Sequence, residues 1–134
     1  MLGASGFLGR SLVQSLLERK IQVLAPGSKE LDLSDPRSAR KLSTQYQEGD
    51  HVIVLAGLSP YRGDSTDLFD KNIQIANTIW GSINSRVEHL TYVSSDAVYG
   101  SQNRYVQDTT GSAPDTSYGL MHFERELIFK KFVR

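Results

Sequence analysis

Two places in this chain combine residue types at spacings that can do chemistry. The first is Gly3-Ala-Ser-Gly-Phe-Leu-Gly9, a turn with glycines three apart that opens an amphipathic segment. Such a turn needs its glycines for separate reasons. The first permits a tight turn, the second lets backbone approach a pyrophosphate, and the third lets a helix pack close to a strand. Gly3, Gly6 and Gly9 stand in those places, with Ser5 inside the turn. The amides of Phe7 and Leu8 fall at the start of the following helix, where free N–H groups and the helix dipole favour a phosphate. The bland reading is a glycine-rich connection with no ligand, and only structural context separates the two. The second place holds Tyr118 and His122. Four residues apart on a helix, they share one face.

Composition excludes much else. The 134 residues bound a single domain. Fifteen Lys and Arg cancel fifteen Asp and Glu, which argues against a dedicated nucleic-acid binder. With no Cys there is no disulfide, thiolate metal site or Cys nucleophile. His51, His89 and His122 show no metal-ligand spacing, so no metal is expected. The longest apolar runs, such as Val52–Ala56, are too short to span a bilayer, so no membrane partner is expected either. No signal peptide is written into the start, and a cytoplasmic location is expected.

The elements that must position these groups alternate. A helix is predicted from Gly9 to Lys20, with Leu12, Val13, Leu16 and Leu17 on one face. Ile21–Ala25 reads as a short strand stopped by Pro26-Gly27, and Glu30–Leu33 as another. Ser34 or Asp35 caps a helix that begins near Pro36 and runs to about Tyr46. His51–Ala56 is a continuous apolar strand of the kind buried in a parallel sheet. A polar loop covers 57–66. A helix spans Leu68 to Asn84, with Phe69, Ile73, Ala76 and Trp80 as its apolar stripe. Val87–Val93 leads into a strand ending at Ser94-Ser95, a long polar loop runs from Gly100 to Thr116, and a last helix runs from Ser117 to Phe132. This alternation predicts a doubly wound parallel α/β sheet with ligands at the carboxyl ends of the strands. Of the strand expected before the glycine turn, only Met1 and Leu2 are present.

Six segments then line up in order: GASGFLG, ELDLSD, VIVLAG, DKNIQIANT, YVSSDAVYG and SYGLMHFERE. Together they resemble the extended short-chain dehydrogenase/reductase family, the NAD(P)-dependent nucleotide-sugar epimerases, dehydratases and reductases. The resemblance covers about residues 3–130. It implies a Rossmann-like NAD(P)-binding domain, with a substrate-binding half that would follow Arg134 and a first strand that would precede Gly3. The chain then reads as the cofactor-binding portion of such a protein. By resemblance, Gly3, Ser5, Gly6, Phe7, Leu8 and Gly9 form the phosphate loop. Asp32 and Leu33 match the pair flanking adenine. Leu55, Ala56 and Gly57 match the strand end beside the riboses, and Asn72 a helix residue bracing that region. Ser95, four before Tyr99, matches the catalytic Ser/Thr. Tyr118 matches the catalytic Tyr of YxxxK.

His122 stands where that motif has Lys. The resemblance implies that the Lys lowers the Tyr pKa and holds the nicotinamide ribose. A free Tyr has a pKa near 10, and a free His near 6.5 is roughly one quarter protonated at pH 7. An imidazole N–H can still reach a ribose hydroxyl. His122 is therefore expected to touch cofactor while weakening proton transfer, or else to be a packed helix residue of a non-catalytic homologue.

Asp96-Ala97 lacks the Glu that dehydratases resembling this family carry, which favours epimerase or reductase chemistry on a nucleotide-sugar. The alternative is a non-catalytic NAD(P)-binding module. After residues 21–25 no early acid waits for a 2′-hydroxyl, and Ser28 and Lys29 are placed to meet a 2′-phosphate, a slight lean to NADP. The segments at 68–84 and 117–132 resemble the helix pair of a homodimer interface in the family.

Overall fold

The computed structural model describes residues 1–59, 65–101 and 105–132. Residues 60–64 of the expected 57–66 loop, residues 102–104 of the 100–116 loop and residues 133–134 lie outside the described residues.

Gly49, at φ 84, turns the chain into β1 (Asp50–Val54), where the β-branched run Val52-Ile53-Val54 suits a pleated, half-buried surface. β1 pairs in parallel with β2 (Val87–Tyr92), in a register that sets Val52 opposite Leu90 and Val54 opposite Tyr92. Parallel neighbours need a crossover, and α3 (Ser65–Ser82) supplies it. On the other edge of β1, Leu2 makes a parallel bridge to Val54. Its N–H donates to the Ile53 carbonyl at 2.9 Å, and its own carbonyl accepts from Leu55 N–H at 2.8 Å. α1 (Phe7–Glu18) follows the glycine turn, α2 (Ser38–Ser43) precedes β1, and a 3-10 turn (Asp96–Tyr99) and α4 (Ser117–Phe129) follow β2.

The core lies between this small sheet and helices α2, α3 and α4. Leu2, Val54, Ile79 and Val87 are its fully enclosed centre, closed by Leu42 and Phe129. α3 packs on both α2 and α4. The buried residues of α3 are Asn72, Ile75, Ala76, Thr78, Ile79 and Ser82, a face rotated from the expected Phe69–Ile73–Ala76–Trp80 stripe, whose aromatic members are only half-buried. The reason is polar: Asn72 and Ser82 find hydrogen-bond partners inside, so the helix turns them inward.

Other expectations are corrected. Residues 21–25 form no strand. A strand exists through its ladder, and a short run of good strand formers does not hold one alone. The segment's tie to the chain start is the Met1 amino group donating to the Leu24 carbonyl at 2.6 Å. Instead, residues 21–24 face residues 50–53 across a cavity of about 480 Å³ floored by Leu16, Leu42 and Tyr46. Residues 30–33 form no strand either: Glu30 and Leu31 amides both return to the Gly27 carbonyl, folding the stretch into a turn that buries Leu31. The helix expected from Pro36 to Tyr46 shrinks to Ser38–Ser43; ahead of it the Asp35 carboxylate accepts from the Arg37 amide and guanidinium. On α1, Leu12, Val13 and Leu16 are half-buried, but Leu17 is exposed.

Ile79 is fully enclosed. Ile79→Ala is expected to cost about 2–5 kcal/mol, read as a lowered urea midpoint with unchanged slope.

Candidate cofactor cleft

The carboxyl ends of β1 and β2 open into a cleft of about 260 Å³. Three parts of the chain meet there: the glycine turn (Gly3, Gly6–Gly9), the β1 exit (Leu55–Ser59), and one face of α4 (Tyr118, His122, Arg125), with Tyr92, Val93 and Ser94 from the end of β2. The larger cavity beside β1 includes neither the glycine turn nor the α4 groups.

Close approach explains the glycines. Gly3 sits at φ 89, and a Cβ there would stand 2.6 Å from the Ala56 nitrogen. A Cβ on Gly9 would stand 2.3 Å from the Gly3 carbonyl oxygen. Gly3 therefore lets the turn press against the β1 exit, and Gly9 lets the start of α1 press against the turn. Gly6 is the extended N-cap of α1, which has no side-chain cap. The amides of the first helical turn thus have no side-chain acceptor, and Phe7 and Leu8 line the cleft.

The β1 exit is fixed by buried polar groups. Asn72 is fully enclosed; its Oδ1 accepts from Leu58 N–H at 2.9 Å, and its Nδ2 donates to the Leu58 and Leu68 carbonyls at 3.1 and 2.9 Å. Arg125, 1% exposed, donates from Nη1 to Asn72 Oδ1 at 3.1 Å and from Nη2 to the Ala56 carbonyl. Gly57 makes room for it: a Cβ there would lie 2.7 Å from Nη1. Among the described residues Arg125 forms no salt bridge. Its guanidinium carbon lies 5.0 Å from the centre of the Tyr92 ring, and its buried Nε has no partner. Burial pushes its pKa down.

His122 is buried between two tyrosines. Its Nδ1 lies 2.7 Å from the Tyr92 hydroxyl, and its ring meets Tyr118 edge-on at 4.7 Å between centroids. Burial first and the Arg125 charge second push its pKa down to about 4. Burial likewise pushes Tyr92 up to about 12, against the pull of Arg125. Both groups are neutral at pH 7. His122 therefore does not carry the charge of the Lys it replaces, and the cation in the cleft is Arg125.

Not every expected site residue reaches the cleft. Ser94 lines it, with its hydroxyl donating to Glu126 Oε1 at 2.5 Å. Ser95 instead caps the 3-10 turn, accepting from Ala97 N–H at 3.3 Å and donating to Asp96 at 3.2 Å. Ser5, Ser28 and Lys29 are exposed and lie outside the lining. Asp32 is exposed, and its carboxylate accepts from the Ser34 hydroxyl and amide, which hold its pKa down. Leu33 packs on the core. Sequence reasoning missed Tyr92 and Arg125. Arg125 had a signal: 118, 122 and 125 follow the i, i+4, i+7 spacing of one helix face. Tyr92 had none.

Glycine turn, parallel strand ends and helix face together define a Rossmann-like α/β fold that opens at its strand ends. The chain belongs to the NAD dependent epimerase/dehydratase family, whose sequence model matches residues 1–134. Solved structures agree in fold. A GDP-D-glycero-L-gluco-heptose synthase from Campylobacter jejuni, crystallised with NADPH, superposes with a TM-score of 0.84 at 19% identity, over 98% of this chain and 42% of that one. A UDP-galactose 4-epimerase gives 0.80 at 20% identity, over 98% and 50%. A GDP-mannoheptose C4 reductase from C. jejuni with NADP bound gives 0.78 at 20% identity, over 98% and 45%. The chain thus spans half or less of the length of these relatives. Among the described residues, no helix is long and apolar enough to cross a membrane.

Two outcomes follow from this geometry. His122 has a folded pKa near 4 against 6.5 unfolded, so the unfolded chain takes up the proton first as pH falls. Stability is therefore highest above pH 6.5 and falls towards pH 4. The loss at pH 5 is about 2 kcal/mol, and His122→Gln should remove that part of the slope in urea titrations at pH 7 and 5. Asn72→Leu leaves Leu58 N–H and C=O without their buried partner and should cost about 2–4 kcal/mol by the same assay.

Proposed function

We propose that this chain is the nucleotide-binding portion of an NAD(P)-dependent oxidoreductase or epimerase acting on a nucleotide-sugar. The observation that carries this reading is the meeting of the glycine turn, the β1 exit and the Tyr118–His122 face around one cleft. The residues fit a dinucleotide. Phe7 and Leu8 amides would hold the pyrophosphate, Leu55–Gly57 would border a ribose, and Tyr118 and His122 would face the nicotinamide end, with Asp32 and Leu33 at the adenine. When bound, the nicotinamide supplies hydride transfer. The relatives crystallised with NADPH and NADP support the slight lean to NADP, for which Ser28 and Lys29 are the exposed candidates to meet the 2′-phosphate. A nucleotide-sugar substrate is supported by the GDP- and UDP-sugar enzymes among the relatives.

The chain's own residues divide the work. Tyr118 holds or accepts the proton at its phenolic oxygen. Ser95, expected to orient the substrate oxygen, is held at the 3-10 turn, and Ser94 is the serine that lines the cleft. His122, neutral, offers a hydrogen bond without charge, and Arg125 keeps a positive field in the cleft while fixing the β1 exit. Dimerisation through α3 and α4, where Leu120 and Leu127 are exposed, and a cytoplasmic location belong to the same proposal. One observation favours a second reading, a nucleotide-binding module without turnover: the position expected to carry a permanent charge holds a neutral imidazole.

A thermal melt with millimolar NADP or NAD tests the nucleotide. Binding at a hundred times Kd stabilises the native state by about 2.7 kcal/mol, a rise of several degrees. A midpoint that ignores both nucleotides would refute the reading. Nucleotide binding with no turnover of any GDP- or UDP-sugar, in the chain or its full-length parent, would select the second reading.

A further inference from the structure

The histidines have no metal-ligand spacing along the chain, but the sheet brings two of them together. The pairing of β1 with β2 carries one irregularity: Asp50 is opposite Val87 and His51 is opposite His89, so Glu88 is an extra residue in β2. That bulge decides where the rings go. In an unbroken register His51 would face Glu88, and His89, opposite Val52, would point to the other side of the sheet. With the bulge both imidazoles lie exposed side by side, their centres 5.4 Å apart and their planes tilted by 40°. They stand near the start of both strands, whereas the glycine turn, Tyr118 and His122 meet at the strand ends.

We propose that His51 and His89 form a two-imidazole site for a divalent transition-metal ion, which clips β1 to β2. Two ring nitrogens at zinc–nitrogen distance from one ion, at a near-tetrahedral angle, hold their ring centres about 5 Å apart, so the rings need little movement to share an ion. Imidazole suits Zn²⁺, Cu²⁺ and Ni²⁺ rather than Mg²⁺ or Ca²⁺, with Cu²⁺ bound most tightly of the three. The site is open, not a cage: among the described residues no group of three or more His, Cys, Asp or Glu is gathered for a metal, so water completes the coordination. Glu88 Oε2 lies 4.0 Å from His51 Nε2, with the two side chains 70% and 63% exposed. A contact between groups this exposed is weak and does not hold His51 away from an ion, while the carboxylate adds negative charge beside it. The two ligands meet only through the folded register, so an ion that uses both binds the native sheet in preference to the unfolded chain.

The test uses the untagged chain at pH 7 without nucleotide, so its outcome is independent of the cofactor reading. Excess Zn²⁺ should raise the thermal midpoint by several degrees, and the same concentration of Mg²⁺ should leave it unchanged. His51→Ala and His89→Ala remove exposed side chains, so both should fold as the parent does. Each should weaken zinc binding roughly tenfold or more by calorimetry, whereas Glu88→Gln should change it less than about threefold. Substoichiometric Cu²⁺ should broaden the amide signals of residues 50–52 and 88–90 before any others, and its electron paramagnetic resonance spectrum should show two coordinated ring nitrogens. A midpoint that ignores zinc, zinc affinity unchanged in either alanine variant, or copper broadening centred elsewhere would overturn the proposal.

Discussion

The structure turns on one buried charge. Arg125 lies inside a small domain with no salt bridge among the described residues. It is tolerated because its donors end on the Ala56 carbonyl and Asn72, and its face lies on Tyr92. Removing a guanidinium from water costs several kcal/mol, and these contacts offset that cost only in this arrangement. The consequence spreads in three directions. The β1 exit is clamped, so the glycine turn packed on Ala56 is clamped with it. Position 57 has to be a small residue. His122, one helical turn away, is kept neutral first by its own burial and second by this charge.

This electrostatic layout differs from the one the sequence motif suggests. A Lys four residues after Tyr118 would place a cation beside the phenol. Here the neighbouring residue is an uncharged ring, and the cation is committed to backbone three residues further along α4. A charge used to hold backbone is less free to follow chemistry at the phenol. That difference is why a nucleotide-binding module stands beside the enzyme as a proposed reading of its function.

Much of this was legible in the residues. The glycine turn was, because spacing alone sets which backbone approaches which. β1 and α4 were, because continuous β-branched residues and helical spacing each have one physical solution. Residues 21–25 were not: their strand propensity is real, but a ladder is a property of two segments. The buried face of α3 was misread because Asn72 and Ser82 look like surface residues until their partners are known. Arg125 was passed over for the same reason. A lone Arg on a helix is usually solvated, and its burial here depends on Ala56 and Asn72, 69 and 53 residues away in the chain. Ser95 shows the reverse case, with sequence position favouring the cleft and local geometry turning its hydroxyl to the Ala97 amide.

The most direct measurement of the central claim, that this cleft holds a nicotinamide dinucleotide, is a backbone amide NMR titration with NADP. Shifts are expected at Phe7, Leu8 and Gly57 and along the Tyr118–Arg125 face, saturating with one midpoint. Shifts confined to residues 21–24 and 50–53 around the apolar cavity, or none at all, would contradict it.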